Sequence, residues 1–243
     1  MSAPQGPSLE APARQLAFEF ENSPRYGDDD FLVAPSNETA FAMIRSWPDW
    51  PDPVLVLEGG PGAGKSHLAA IWARRSRAVV APPQAIRADA ALGGFYGRNV
   101  LVEDADAATD ERGLFHLFNL VQESRASMLL TCAAPPERWG VKLPDLLSRL
   151  RRAPLVRIEP PDDELIRAVL VKLFVDRQLA VDAHVIDYIA QRIDRSLDAA
   201  RALVRSLDEA ALAEGRRINR ALAARLLERL AYDGSPGGES DES

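Results

Sequence analysis

Apolar residues follow two different patterns along this chain, and the change falls near residue 160. Upstream, short runs rich in Val and Leu stand apart from one another: VLVLEG (54–59), AVVA (78–81), NVLVED (99–104), SMLLTC (127–132) and PLVRIE (154–159). Runs this short, almost wholly apolar, predict buried strands. The stretches between them carry helical spacing, as in SHLAAIWARRSRA (66–78), where Leu68, Ile71 and Trp72 share one face. Strands alternating with helices predict a mostly parallel sheet covered by helices. Beyond EPPDDE (159–164) the strand pattern stops. DDELIRAVLVKLFVDRQ, DAHVIDYIAQRI, SLDAARALVRSLDEAALAEG and RRINRALAARLLERLAY all repeat with helical spacing. Asp162 and Ser196 are the predicted N-caps and Gly215 a predicted stop.

These patterns predict four regions: a tail over 1–24, an α/β unit over 25–160, a small helical unit over 161–232 and an acidic tail over 233–243. The first fourteen residues are rich in Pro, Ala and polar groups, and DGSPGGESDES is rich in Gly, Ser and acids, so both are predicted to be disordered. The net charge of -7 excludes a global positive field that would recruit nucleic acid. Cys132 is the single cysteine, so no intramolecular disulfide can form, which suits a reducing compartment. No apolar run reaches membrane-spanning length and the N-terminus has no apolar signal core. The expectation is a cytoplasmic protein without a membrane partner.

LEGGPGAGKSHLAA (57–70) carries the first chemistry. Gly59, four residues on to Gly64, then Lys65 and Ser66 fit G-x-x-x-x-G-K-[ST], between a predicted strand and a predicted helix. Glycines let backbone N–H groups converge on phosphate oxygens, and the helix N-terminus favours the anion. Gly59, Gly60, Pro61, Gly62, Ala63, Gly64, Lys65, Ser66 and His67 are therefore the candidate nucleotide-binding residues. Lys65 would reach the β- and γ-phosphates, and the Ser66 hydroxyl would sit on Mg²⁺. Lysine is scarce, with Lys65, Lys142 and Lys172 among 29 basic residues, which makes its place in the loop more pointed. A glycine turn that merely happens to carry Lys-Ser is the plain alternative.

NVLVEDAD (99–106) supplies a second strand ending in carboxylates, Glu103 and Asp104. In a phosphoryl-transfer site such acids hold Mg²⁺ and orient water. Glu103 is the candidate for a water-mediated magnesium contact and Asp104 for a catalytic one; solvated acids at a strand end are the alternative. Thr131, at the end of SMLLTC, offers a polar group able to sense the γ-phosphate. His67, His116 and His184 are too scattered for a metal site, and the first two are expected to pack or cap. Trp47 and Trp50 are expected to cover the sheet edge beside the loop.

GKSHLA, LVEDAD, LFHLFNLVQES, LLTCAAPPERW, LPDLLSRL and VRIEPPDDEL, in that order, resemble the nucleotide-binding module of the DnaA-related AAA+ family. RYGDDDFLVAPSNETA (25–40) is similar to the module's opening segment, and the likeness runs from about residue 25 to 230. It implies an α/β AAA+ P-loop NTPase with a parallel-sheet core, a small C-terminal helical lid, and ADP or ATP with Mg²⁺ as cofactors. The initiator DnaA reads DNA through a helix-turn-helix domain after its lid, whereas here only the acidic segment follows. That arrangement resembles family members that regulate the initiator, acting with the DNA-loaded sliding clamp to make DnaA hydrolyse its ATP.

The resemblance assigns further roles. QLAFEF (15–20) fits the clamp-binding pattern Q-L-x-[L/F]-x-[L/F], with Gln15 at a pocket rim and Leu16, Phe18 and Phe20 in apolar pockets; a short edge strand is the alternative. LPDLLSRL aligns with the segment bearing the arginine finger and places it at Arg149, acting in trans. The helix SLDAARALVRSLDEA corresponds to the sensor II helix, with Arg201 as the sensor and Arg195 as the alternative. Glu103 stands where DnaA has Asp, and Ala133 where the family's sensor I is polar. Such departures weaken turnover more than binding. The implied partners are DnaA and the sliding clamp of DNA polymerase III, with DNA reached only through the clamp and self-association left open. The competing expectations are a free-standing AAA+ ATPase of the helicase-loader kind, and a truncated initiator binding origin DNA through its core.

Overall fold

A computed structural model of the chain describes residues 30–88, 92–108 and 110–233, with side chains described to residue 230. The tail hexapeptide at Gln15, Leu16, Phe18 and Phe20 and the acidic C-terminal segment lie outside the described residues.

Five strands form one parallel sheet in the order β2-β3-β4-β1-β5: β1 (Val54–Gly59), β2 (Val79–Val80), β3 (Val100–Val102), β4 (Met128–Cys132) and β5 (Leu155–Ile158). All six residues of β1 are buried, as expected of a strand covered on both faces. Side chains alternate between the two faces. Val54, Val56, Val100, Val102, Met128, Leu130 and Cys132 pack against α3 (Glu111–Glu123) and α4 (Pro144–Arg152). Leu55, Leu57, Leu101, Leu129, Val156 and Ile158 pack against α1 (Glu38–Arg45) and α2 (Lys65–Ser76). The predicted α/β class is the one observed.

From β1 the chain crosses to the far edge strand β2, while β5 lies on the other side of β1. The carboxyl end of β1 is therefore the switch point at which such sheets bind ligands.

The remaining helices, α5 (Asp163–Asp176), α6 (Ala183–Ala190), α7 (Leu197–Glu214) and α8 (Arg220–Asp233), share a second core built on Leu170, Phe174, Ile189, Leu203 and Leu207. Asp162 caps α5 by accepting from the Leu165 N–H at 2.7 Å, and Ser196 caps α7 by accepting from the Ala199 N–H at 3.3 Å. Gly215 ends α7 at φ +61°. No helix among the described residues is long and apolar enough to cross a membrane.

The two tryptophans depart from expectation. Trp50 stacks on Trp72 of α2, ring centroids 5.3 Å apart, and its Nε1 donates to the Met43 carbonyl at 2.8 Å. Trp47 Nε1 donates to Ser127 Oγ at 3.0 Å, just before β4 begins. Because Met128 pairs with Val54, this is the amino end of β1, opposite the loop. Rather than shielding the sheet edge beside the glycines, the pair packs onto the far end of α2, where large rings find apolar partners.

Candidate functional site

β1 ends at Gly59, and the loop turns through two left-handed glycines, Gly62 at φ +67° and Gly64 at φ +109°, before α2 begins at Lys65. Gly64 occupies the N-cap position without a side-chain cap, and no acid stands in the first turn of α2. The first N–H groups of the helix therefore face the loop with the positive end of the dipole and without a competing negative side chain. Lys65 Nζ donates to the carbonyls of Gly59 at 2.8 Å and Gly60 at 3.1 Å, which holds the ammonium against the loop backbone. The exposed Ser66 follows in the first turn, while His67 is buried with its ring edge-on to Phe31, centroids 5.2 Å apart. Phe31 also lies 3.9 Å from the point where a Cβ on Gly64 would be, so the His67–Phe31 pair packs close to the loop.

The second strand's acids stand two strands away, with β4 between. Asp104 adopts φ +50° and opens a 3₁₀ turn over Ala105–Ala107. Asp is among the few side chains that tolerate this conformation. Its N–H donates to Thr131 Oγ1 at 3.0 Å. Thr131 is buried, and its hydroxyl oxygen pins the turn after β3 to the end of β4. The Thr131 hydroxyl accepts in this bond and keeps its own O–H as a donor. At the Ala133 position the backbone N–H is taken by Asp106 Oδ2 at 2.9 Å. Glu103 is half-buried beside Asp104.

The carboxyl end of the sheet also holds a charged pair that the strand pattern did not single out. Glu58, the one polar residue in VLVLEG before the glycines, is buried and accepts from Arg157 Nη2 of β5 at 2.9 Å. The hydrogen bond and charge of Glu58 raise the Arg157 pKa. Cys132 lies opposite Glu58 in the β1–β4 register. Burial, reinforced by Asp106 and Glu58, pushes its thiol up to about 12, so it stays protonated and behaves as an apolar filler.

Helix α7 meets the loop directly. The Leu197 N–H donates to the Gly62 carbonyl at 2.8 Å, and Ser196 Oγ lies where a Cβ on Gly62 would be, 2.0 Å from it. Of the two arginines considered as lid sensors, Arg201 pairs with Asp198 on its own helix at 2.8 Å and Arg195 with Asp163 of α5 at 3.1 Å. The Asp198 backbone N lies 3.3 Å from that same Cβ point, which places this acid in the turn of α7 that meets the loop. The signal for it was the spacing of three residues that puts Asp198 and Arg201 on one helix face.

Arg149 lies elsewhere. Its Nη1 donates to Gln122 Oε1 of α3 at 2.6 Å, and its guanidinium carbon sits 4.8 Å from the centroid of Phe115. Arg152, in the same last turn, pairs at 3.7 Å with Asp52, which precedes β1. The Arg152 side chain thus reaches the residues just before β1, at the end of that strand opposite the glycine loop. The Arg149 partners Gln122 and Phe115 are on α3, not on the glycine loop of its own chain. The clamp-motif residues lie outside the described part of the structure.

No protein-family model matches the chain. The chromosomal replication initiator protein DnaA of Thermomicrobium roseum is 25% identical over 205 residues, covering 72% of this chain and 43% of that protein. The chain thus spans less than half the length of this relative. Among solved structures, domain III of Thermotoga maritima DnaA superposes with a TM-score of 0.70 at 18% identity, covering 85% of this chain and 97% of the other. The AMPPCP-bound DnaA of Aquifex aeolicus gives 0.68 at 17%, covering 87% and 71%. A point mutant of Thermotoga maritima RuvB gives 0.66 at 14%, covering 83% and 71%. The fold is the one seen in these DnaA and RuvB structures, and the similarity to DnaA extends to the sequence.

Proposed function

We propose that this chain is an adenine-nucleotide-binding regulator of replication initiation of the Hda type, which with the DNA-loaded sliding clamp stimulates hydrolysis of DnaA-bound ATP. The observation that carries the reading is the separation of two cationic groups. Lys65 lies against a phosphate-type loop, whereas Arg149, in the last turn of α4, is bonded to Gln122 of α3 and stacked on Phe115. A guanidinium so placed serves a neighbour's nucleotide rather than its own chain's, which is what stimulation in trans requires.

Nucleotide binding is supported by the loop geometry and by the similarity to DnaA, one of whose structures carries AMPPCP. Gly59 to Ser66 would cradle the phosphates through backbone N–H groups, with Lys65 released from the Gly59 and Gly60 carbonyls to meet phosphate oxygens. The site's donors suit Mg²⁺, a hard cation that needs few protein oxygens beside phosphate and water. The exposed Ser66 hydroxyl and Glu103 would hold it, and the ion would supply charge neutralisation at the phosphates. Arg201 would contact phosphate from the lid. With Glu103 one methylene longer than Asp and Ala133 unable to contact a phosphate through its side chain, the site holds nucleotide and turns it over poorly.

The partners in this reading are DnaA and the clamp, the latter engaged through Gln15, Leu16, Phe18 and Phe20. The test is a single-turnover assay of ATP pre-bound to DnaA, with and without this protein and DNA-loaded clamp. Loss of DnaA-bound ATP only when both are present supports the reading; no acceleration rejects it.

One observation favours direct DNA binding by an initiator-like core instead. An open groove of about 750 Å³ is lined by Gln84, Arg87, Arg112 and Lys142, with Asp110 and Glu111 beside them. A DnaA structure has been solved with AMPPCP and single-stranded DNA. Affinity for naked DNA that falls steeply with salt marks that alternative.

A further inference from the structure

We propose that Asp198 gates Arg201, the arginine proposed above to contact phosphate, by holding it in an ion pair that a bound phosphate must displace. This deepens the reading of the glycine loop as a nucleotide site and rests on it.

Three observations meet here. The first turn of α7 is fixed to the loop by the Leu197 N–H on the Gly62 carbonyl, and Leu197 and Ser196 fill the space against Gly64 and Gly62. Asp198 belongs to that same turn. Arg201 follows three residues later, about 4.5 Å further along the helix axis, and its Nη1 reaches back to Asp198 Oδ1 at 2.8 Å. The arginine tip is thereby drawn toward the turn that touches the loop, but its charge is already matched.

The pair is built to compete rather than to lock. The side chains of Arg201 and Asp198 are 29% and 70% exposed, and an ion pair so open to water is weak. A phosphate group with more negative charge and several oxygens outcompetes a single carboxylate for the same guanidinium fork. The carboxylate also adds a negative charge beside the loop, which opposes any anion there. Both effects have the same sign, and because the Asp198 side chain is 70% exposed its direct repulsion is the smaller one, so Asp198 lowers nucleotide affinity mainly through Arg201. Arg195 has no such part, because its partner Asp163 lies at the start of α5.

The experiment is equilibrium binding of labelled ADP and ATP to the full chain and to the variants Asp198→Asn, Asp198→Glu, Arg201→Ala and the double variant Asp198→Asn/Arg201→Ala. Asp198→Asn should tighten binding roughly three- to tenfold by freeing the arginine and removing the like charge. Asp198→Glu, which keeps the charge, should stay near wild type. In the Arg201→Ala background the Asn substitution should lose most of its effect. An unchanged affinity for Asp198→Asn, or an equal gain without Arg201, overturns the gate. Ser196 rather than Asp198 caps α7, so melting curves of these variants should coincide and a folding defect would be visible as such. Lys65→Ala separates the two levels. If it leaves affinity intact, the nucleotide-site reading falls; if it removes binding while Asp198→Asn does nothing, only the gate falls.

Discussion

The Leu197 N–H donates to the Gly62 carbonyl across 2.8 Å, so the lid helix α7 begins on the phosphate-type turn itself. Gly62 needs φ +67°, and a Cβ there would lie 2.0 Å from Ser196 Oγ. Gly62→Ala should therefore destabilise the chain by about 2–4 kcal/mol, combining left-handed backbone strain with overpacking. Urea unfolding measures it. Adding Ser196→Gly should return the overpacking part, because glycine caps nearly as well and leaves room for the methyl group. A Gly62→Ala protein of wild-type stability would show that lid and loop are not in contact.

Lys65→Ala should remove tight adenine-nucleotide binding, weakening it by roughly two orders of magnitude, as loss of a cation from a phosphate site does. The side chain is only half-buried and touches the loop through carbonyls, so the melting temperature should stay within a few degrees. Titration of labelled ADP checks the first statement and a thermal melt the second. A folded variant with undiminished affinity rules out the cradle.

Most of this architecture was legible because apolar runs and glycines speak locally. VLVLEG reads as a buried strand, and GGPGAGKS reads as a turn into a helix, without reference to any distant residue. Asp162, Ser196 and Gly215 likewise act on their own helix ends. What was not legible depends on pairing across the fold. Trp47 and Trp50 are close in sequence to β1, yet their partners Ser127 and Trp72 are set by strand order, which moved them to the end remote from the loop. The bond from the Asp104 N–H to the Thr131 hydroxyl was not legible either, because only the register of β3 and β4 brings the two together. Glu58 and Arg157 show the same limit: each is an isolated polar residue in a strand, and only the β1–β5 register makes them a pair. The Asp198–Arg201 pair could have been found, because a spacing of three on a helix is itself a local signal.

The tail segment bears on tethering alone. Gln15→Ala with Leu16→Ala should abolish co-migration with the sliding clamp in gel filtration while leaving ADP affinity at its wild-type value. Among the described residues, the contacts between the glycine loop and α7 run through Gly62, Gly64, Ser196 and Leu197. A double variant that still co-migrates removes QLAFEF as the tether. A variant that loses ADP affinity as well shows that the tail serves the nucleotide site.

Arg149 carries the last prediction, and its setting sharpens it. The guanidinium is stacked on Phe115 and bonded to Gln122, so its plane is oriented before any partner arrives. Arginine fingers stabilise charge on the transferring phosphoryl group and contribute about 10³–10⁵ in rate where they act. Arg149→Ala should keep ADP binding and clamp binding and lose stimulation of DnaA-bound ATP hydrolysis in a single-turnover assay. Arg149→Lys should recover little, because an ammonium lacks the planar fork of donors and stacks poorly on the ring. Neighbouring arginines supply the control. Arg152 is engaged with Asp52 and Arg151 is exposed in the same turn. If Arg149→Ala stimulates normally while Arg151→Ala or Arg152→Ala does not, the finger sits two or three residues further along α4. If all three variants stimulate normally, the neighbour's ATP is not being acted on by this face of the protein, and stimulation in trans through α4 is excluded.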